Sequence, residues 1–262
     1  MLVIPPGWEV IKRSKDPTSR VQVICKDSKG RSQYIYHPMW SVLSSALKFK
    51  RLLKFSKQVR KLSKTSTTDD IDNIIKLMMT TNIRVGSDKY AEENETFGVS
   101  TLLTNHVYKS DKRGELALRF VGKSSHSHDV LLKESSNVDF IKRKLREARS
   151  CGNKRLFPLG TADKLRVRFK ELFGDDFTPK DIRTYKANTT LLLYLRRCSC
   201  VNLKKELLMA IDKTANTLHH TTSVCKSNYL CPQILELWLR DPTLIKRGRG
   251  VNLYKLAKTL KL

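Results

Sequence analysis

The spacing of apolar residues changes along the chain, and each change predicts a different element. In "RVQVICKDSKGRSQYIYH" (20–37), Val21 and Val23 alternate with polar neighbours. After Asp27-Ser28-Lys29-Gly30 the run resumes with Tyr34, Ile35 and Tyr36. A period of two on either side of a glycine-containing polar turn predicts a β-hairpin. From residue 41 the period lengthens. Leu43, Leu47, Leu52, Phe55, Val59 and Leu62 recur at helical spacing in "SVLSSALKFKRLLKFSKQVRKLSK". "KTSTTDD" (64–70) interrupts with helix-opening residues. Ile71, Ile74, Ile75, Met78 and Met79 then predict an amphipathic helix.

Further along, "GELALRFVGKSSHSHDVLL" (114–132) reads as two short strands about a polar turn, and residues 138–150 as a basic helix. "FTPKDIRTYKAN" carries a helix start: Thr178 as cap, Pro179 at the first helical position, and Asp181 three residues after the cap. Helices follow at about 203–216 and 232–240, the second opened by Pro232. No internal repeat interrupts this order. The expected class is α+β, with a β-rich segment over residues 1–40 and a mainly helical domain over 41–262 that contains one internal hairpin.

Charge changes the picture. The 51 lysines and arginines against 25 acidic residues leave a formal net charge of +26. Solubility needs far less, so a partner with regularly spaced negative charge is implied. The helix predicted over 41–64 has no acid to balance its cations, which points to phosphate contact. Nucleic acid fits better than a membrane: no amphipathic basic helix with an aromatic face stands out, and no apolar run approaches the roughly 18–20 residues that span a bilayer. The opening "MLVIPPGWEVIKRSK" lacks a charged region before its apolar run, so it is not read as a signal peptide. Cys25, Cys151, Cys198, Cys200, Cys225 and Cys231 form no CxxC pair, and "CSC" with His219 and His220 lacks metal-ligand spacing. No metal and no other cofactor is expected. Reduced thiols suit a cytosolic or nuclear compartment.

Which chemistry could such a chain perform on DNA? Cutting a backbone without metal needs a nucleophile for phosphorus, cations for the two non-bridging oxygens, and a proton for the departing 5′ oxygen. A tyrosine can attack and store the bond as an ester. The arginine fork matches phosphate oxygens, and a lysine among other cations can give up a proton. The chain offers each group in a suitable setting. Arg84 follows the amphipathic helix in "NIRVGSDKY", Lys123 stands at the hairpin tip in "FVGKSS", and Arg183 lies early in the capped helix. His220 and Tyr229 close the set in "HTTSVCKSNY". Singly, each is ordinary: one arginine among so many cations is a solvated charge, and one tyrosine is a core residue. The combination is not.

That combination, together with "NIIKLMMTTNIRVGSDKYAEENETFGVSTLLTNHV" (73–107), "LRFVGKSSHSHDV" (118–130), "TPKDIRTYKAN" (178–188) and "DSKGRSQYIYHPMW" (27–40), resembles the poxvirus-type DNA topoisomerase IB family. The likeness implies the catalytic fold shared by tyrosine recombinases and type IB topoisomerases, working as a monomer on duplex DNA. It implies Tyr229 as nucleophile forming a 3′-phosphotyrosyl link, and Arg84, Arg183 and His220 as oxygen ligands. Lys123 would be the general acid, and Lys180 a helper to the proton relay. Gln33, Tyr34, Tyr36, Lys89 and Tyr90 match DNA-contacting positions. Two departures stand out. His219 occupies a position where the family usually carries glycine, and the chain starts in mid-domain relative to those proteins, so the first clamp strands are expected to be missing.

Two rivals share parts of this reading. Tyrosine recombinases use a related residue set, but usually carry histidine three residues before the second arginine, where this chain has Lys180. A basic DNA-binding protein on an inactive scaffold would need the charge alone. Relaxation of supercoiled plasmid separates both from a topoisomerase.

Overall fold

The computed structural model describes residues 2–62, 69–110, 115–247 and Leu253. Most of the "KTSTTDD" break thus lies outside the described residues. The chain divides into two compact units, Met1–Arg51 and Leu52–Leu262. This boundary falls inside helix α1 (Pro38–Leu62), whereas the hydropathy pattern changes near residue 41. Burial along α1 changes with it: Leu43 and Leu47 are each 55% exposed, but Leu52, Phe55 and Val59 are buried.

The N-terminal unit carries a three-stranded antiparallel sheet of β1 (Glu9–Arg13), β2 (Val21–Lys26) and β3 (Ser32–Tyr36), in that order. The hairpin read from the sequence is β2–β3, with Ile24 opposite Tyr34 and Cys25 opposite Gln33. Its turn is organised by Asp27, whose carboxylate accepts from the backbone N–H of Lys29 and Arg31 and from the Gln33 amide at 2.9 Å. Gly30 supplies the left-handed residue that the turn needs, at φ +70°. Strand β1 had no sequence signal because its two apolar residues, Val10 and Ile11, are adjacent and every position is exposed. Trp40 packs beside Tyr36, with ring centroids 6.3 Å apart, and beneath the Arg20 guanidinium at 5.2 Å.

The C-terminal unit is built around α2 (Asp70–Thr81), whose Ile74, Ile75, Leu77 and Met78 are fully buried. Asp69 caps it by accepting from the Asp72 N–H. Around it stand α4 (Ser135–Ser150), α5 (Thr161–Phe173), α6 (Pro179–Leu195) and a second antiparallel sheet. That sheet pairs β4 (Val107–Lys109) with β5 (Leu116–Val121) and β5 with β6 (Ser127–Leu132), so the predicted hairpin gains a third, edge strand. Phe55 from α1 sits among Phe169, Phe173, Phe177 and Tyr185, tying α1 to α5 and α6. Helix α5 and the short α3 (Asp88–Asn94) were not read from the sequence.

Ion pairs fasten this core at its edge. Arg168 of α5 grips both carboxylate oxygens of Asp72, at 2.8 and 3.0 Å, and Arg143 and Lys144 of α4 reach Asp70 at 2.6 and 2.8 Å. The remaining helices are α7 (Leu203–Thr217), the single turn α8 (Thr222–Val224), α9 (Pro232–Arg240) and α10 (Pro242–Lys246). The architecture is α+β, mainly helical with two small antiparallel sheets. No described helix is long and apolar enough to cross a membrane.

Candidate active site

Arg84 follows α2 directly. The helix ends at Asn82, which takes the left-handed conformation (φ +60°) and returns its N–H to Met78 O. The next residues are pinned by backbone bonds: Arg84 O accepts from Val99 N–H, and Val85 O accepts from Ser100 N–H, each at 2.8 Å. The close approach that makes this possible requires two glycines. A Cβ on Gly98 would lie 2.4 Å from Gly86 N and 2.6 Å from Arg84 O.

Lys123 is exposed at the β5–β6 turn, which Gly122 N–H closes on His126 O at 2.8 Å. Arg183 belongs to α6. The expected capping box is present, with the Asp181 carboxylate accepting from Thr178 N–H at 2.7 Å. One turn on, Arg183 is buried and donates to the carbonyls of Asn82 and Leu218, so it joins the end of α2 to the end of α7.

The segment after α7 turns at His219, in the left-handed region at φ +54°, and His220 N–H returns to Ala215 O. Thr221 then caps α8, which runs into a single π-helical turn, Cys225–Tyr229. Such turns inside helices are frequent at functional sites. Here it ends on Tyr229. Asn188 of α6, fully buried, fixes that end: its amide donates to Tyr229 O and its oxygen accepts from Cys231 N–H, both at 2.9 Å.

These elements bring Arg84, Lys123, Lys180, Arg183, His220 and Tyr229 to the wall of one cavity of about 560 Å³. All five residues expected to carry chemistry, and the expected helper Lys180, are thus together. Among the described residues, no carboxylate lines the cavity. Arg84 Nη1, Arg183 Nε and both ring nitrogens of His220 are buried with no hydrogen-bond partner among the described residues. Buried donors are normally satisfied, so this cluster suits an anion that brings several acceptors. Pro179 and Lys180 also line the cavity, which places the start of α6 at its wall and adds the partial positive charge of a helix N-terminus.

Electrostatics sharpen the arrangement. Burial and the charge of Arg84 push Arg183 down to about 10, still far enough above neutrality to keep its proton. Burial and the charges of Arg183 and Arg84 push His220 down to about 4, so its imidazole is neutral at pH 7. For Tyr229, burial alone would raise the phenol, but the charges of Arg183 and Arg84 outweigh it and lower the pKa. The Lys180 ammonium and the Arg183 guanidinium lie 5.8 and 5.6 Å from the centre of the Tyr229 ring.

A family model described as eukaryotic DNA topoisomerase I, catalytic core, matches residues 43–236. DNA topoisomerase 1B of Acanthamoeba polyphaga mimivirus is 32% identical, across 92% of this chain and 79% of that protein. This chain belongs to the poxvirus-type DNA topoisomerase IB family. DNA topoisomerase 1B of vaccinia virus (strain Copenhagen) is 30% identical, across 88% of this chain and 82% of that protein. DNA topoisomerase 1 of rabbit fibroma virus (strain Kasza) is 26% identical, across 94% and 86%. The chain is therefore a type IB DNA topoisomerase, an isomerase whose substrate is DNA.

The other expected DNA contacts stand elsewhere in the enzyme. Tyr34 and Tyr36 are exposed on β3 and Gln33, beside them, has its amide engaged by Asp27. Lys89 and Tyr90 are exposed on α3, where Lys89 faces Glu93 at 3.8 Å. The position of α3 is set by Asp88, which pairs with Arg155 and accepts from Gly160 N–H. Residues that sequence reasoning missed are Asn82, through its carbonyl, Asn188, on the Tyr229 backbone, and His126 and Asn228 on the cavity wall. All four lie inside the quoted motifs, but none carries a residue type that the chemistry demands at that position.

Proposed function

We propose that this topoisomerase relaxes supercoiled duplex DNA by opening one strand through a 3′-phosphotyrosyl ester, without ATP and without a required metal ion. Tyr229 loses its phenolic proton to solvent water as its oxygen attacks the scissile phosphorus. The bond from phosphorus to the 5′ oxygen breaks, and that oxygen takes a proton from Lys123, with Lys180 assisting the relay. Arg84, Arg183 and His220 hold the non-bridging oxygens as their charge grows. The strand with the free 5′-hydroxyl swivels, then attacks the ester and returns Tyr229. Because the ester conserves the bond, resealing needs no external energy source.

The observation that carries this reading is the convergence, on one cavity that no described carboxylate lines, of the Tyr229 ring with donors on Arg84, Arg183 and His220 that have no hydrogen-bond partner among the described residues. In the same reading the C-terminal unit has the catalytic fold shared with tyrosine recombinases. The β-rich N-terminal segment grips DNA through Gln33, Tyr34 and Tyr36, Lys89 and Tyr90 add contacts from α3, and the enzyme acts as a monomer. The net charge of +26 supports a large phosphate footprint.

The test is plasmid relaxation in the presence of a metal chelator and no nucleotide. A ladder of relaxed topoisomers is expected from the parent. Tyr229→Phe should bind duplex but give neither relaxation nor a covalent protein–DNA adduct in denaturing gels. Relaxation by Tyr229→Phe at the parent rate would refute the nucleophile assignment.

A further inference from the structure

The groups proposed to act together stand on separate elements, and a pair of histidines outside that set bridges two of them. His128, on β6, is 4% exposed and stacks on Phe120 of β5 with centroids 4.7 Å apart and planes 5° apart. A Cβ on Gly122 would lie 2.5 Å from His128 Nε2. The imidazole therefore lies against the backbone of the residue immediately before Lys123. Its other ring neighbour is His219, 4.8 Å away and inclined at 53°. His219 in turn sits between Leu218, whose carbonyl accepts from Arg183, and His220, whose ring stacks on Tyr229.

Backbone conformation gives a second, independent sign. At φ +54°, His219 holds a left-handed conformation that glycine adopts freely and a residue with a β-carbon adopts at a cost. An imidazole is kept at this strained position, and it has a specific partner.

We infer that His128 and His219 are positioning residues, whose ring contact holds the Lys123 turn in register with the Arg183–His220–Tyr229 group. The inference rests on the reading of Lys123 as proton donor. Lysine has a long flexible stem, and its turn is exposed at the end of a hairpin. Proton delivery needs its ammonium within hydrogen-bond reach of the departing oxygen. A fixed backbone at Gly122 narrows the range over which the ammonium wanders, and the contact with His219 refers that backbone to the nucleophile's own segment. Neither histidine needs to touch DNA to do this.

The experiment measures single-turnover cleavage of a duplex carrying a mapped cleavage site, once with oxygen and once with sulfur as the bridging 5′ atom. A thiolate leaves without taking a proton, so cleavage of the sulfur duplex is indifferent to the general acid. His219→Gly, which also relieves the strained backbone, should slow cleavage of the oxygen duplex about 10- to 100-fold. It should cleave the sulfur duplex at the parent rate and bind both with unchanged Kd. His128→Ala should behave likewise, whereas His128→Phe, which keeps a ring on Gly122, should stay near the parent. Thermal denaturation establishes that each variant is folded. Lys123→Ala is the control. If sulfur does not restore its cleavage, the acid assignment fails and the inference falls with it. If sulfur restores Lys123→Ala while His219→Gly is slow on both duplexes, or unimpaired on both, the acid assignment stands and the positioning role is overturned.

Discussion

The imidazole of His220 lies face to face with the phenol of Tyr229, ring centroids 4.8 Å apart and planes within 5°. Both rings are buried, and both feel Arg183 and Arg84, whose charges favour a neutral imidazole and an acidic phenol. The stack thus couples the group proposed to attack to a group proposed to steady the product of attack.

The pairing predicts a graded response at position 220. His220→Ala removes the ring that covers Tyr229 and an N–H donor together, and should slow single-turnover cleavage by roughly 10²–10³-fold, as for loss of one donor to a developing oxyanion. His220→Asn restores a donor without the stack and should fall between Ala and the parent. Equal rates for the Asn and Ala variants would show that the stack, rather than the hydrogen bond, is what matters.

Protonation gives a separate handle. His128 and His220 are both pushed from the usual 6.5 down to about 4, chiefly by burial, with nearby cations adding to it. Between about pH 4 and 6.5 the unfolded chain therefore binds protons that the folded chain refuses, so stability rises with pH across that window. It is fully present above about 6.5 and is lost as pH falls toward 4. Urea midpoints measured from pH 7.5 to 4.5 should decline, and His220→Asn should lessen the decline by removing one contributor, with His106 and His219, also pushed down by burial, adding to what remains. A midpoint that is level over this range would contradict the burial of neutral imidazoles.

Much of this was legible in the residues themselves, and what was not has identifiable causes. The capped start of α6 is written locally, in Thr178, Pro179 and Asp181, and the β2–β3 turn in Asp27 and Gly30. That Arg84, Lys123, Arg183, His220 and Tyr229 line one cavity could be expected from the motifs that resemble the family, whereas residue type alone left each of them ordinary. Their supports were not legible. Asn82 acts through a backbone carbonyl, and Asn188 is one buried asparagine on a helix whose sequence says nothing of the distant residue 229. Strand β1 is fully exposed, and so has no alternation to read. The division within α1 has no mark in the periodicity, where Leu43 and Phe55 look equivalent, yet one is 55% exposed and the other fully buried.

The crossing of Gly86 and Gly98 carries its own prediction. A methyl group on Gly98 would meet Gly86 N at 2.4 Å and Arg84 O at 2.6 Å, and both are backbone atoms that cannot swing away. Gly98→Ala must push apart the strand of chain that presents Arg84, at a cost of about 1–3 kcal/mol by analogy with overpacked cores. Cleavage should fall at least tenfold, with duplex affinity changed far less, because Arg84 is displaced and not removed. Gly152, where a Cβ would meet nothing within 4 Å, provides the comparison. Gly152→Ala should leave cleavage unaltered, with only the modest stability loss expected of its φ of +65°.

The two arginines, finally, should part company when each is removed. Arg183 has a structural task besides its place at the cavity: it donates to the Asn82 and Leu218 carbonyls. Arg183→Ala leaves both acceptors without that donor, at about 1–3 kcal/mol for each that stays buried and dry. Arg84 has a buried nitrogen, Nη1, with no hydrogen-bond partner among the described residues, and its charge opposes that of Arg183. Arg84→Ala should therefore reduce cleavage by a factor on the order of 10²–10³ while leaving the denaturation midpoint unchanged or slightly raised. Arg183→Ala should lose cleavage and stability together, and Arg183→Lys should recover little of either, since one ammonium cannot span two carbonyls and a phosphate oxygen in the geometry of the fork. Paired denaturation and cleavage measurements decide the matter: equal stability losses for Arg84→Ala and Arg183→Ala would show that the two side chains share one structural role.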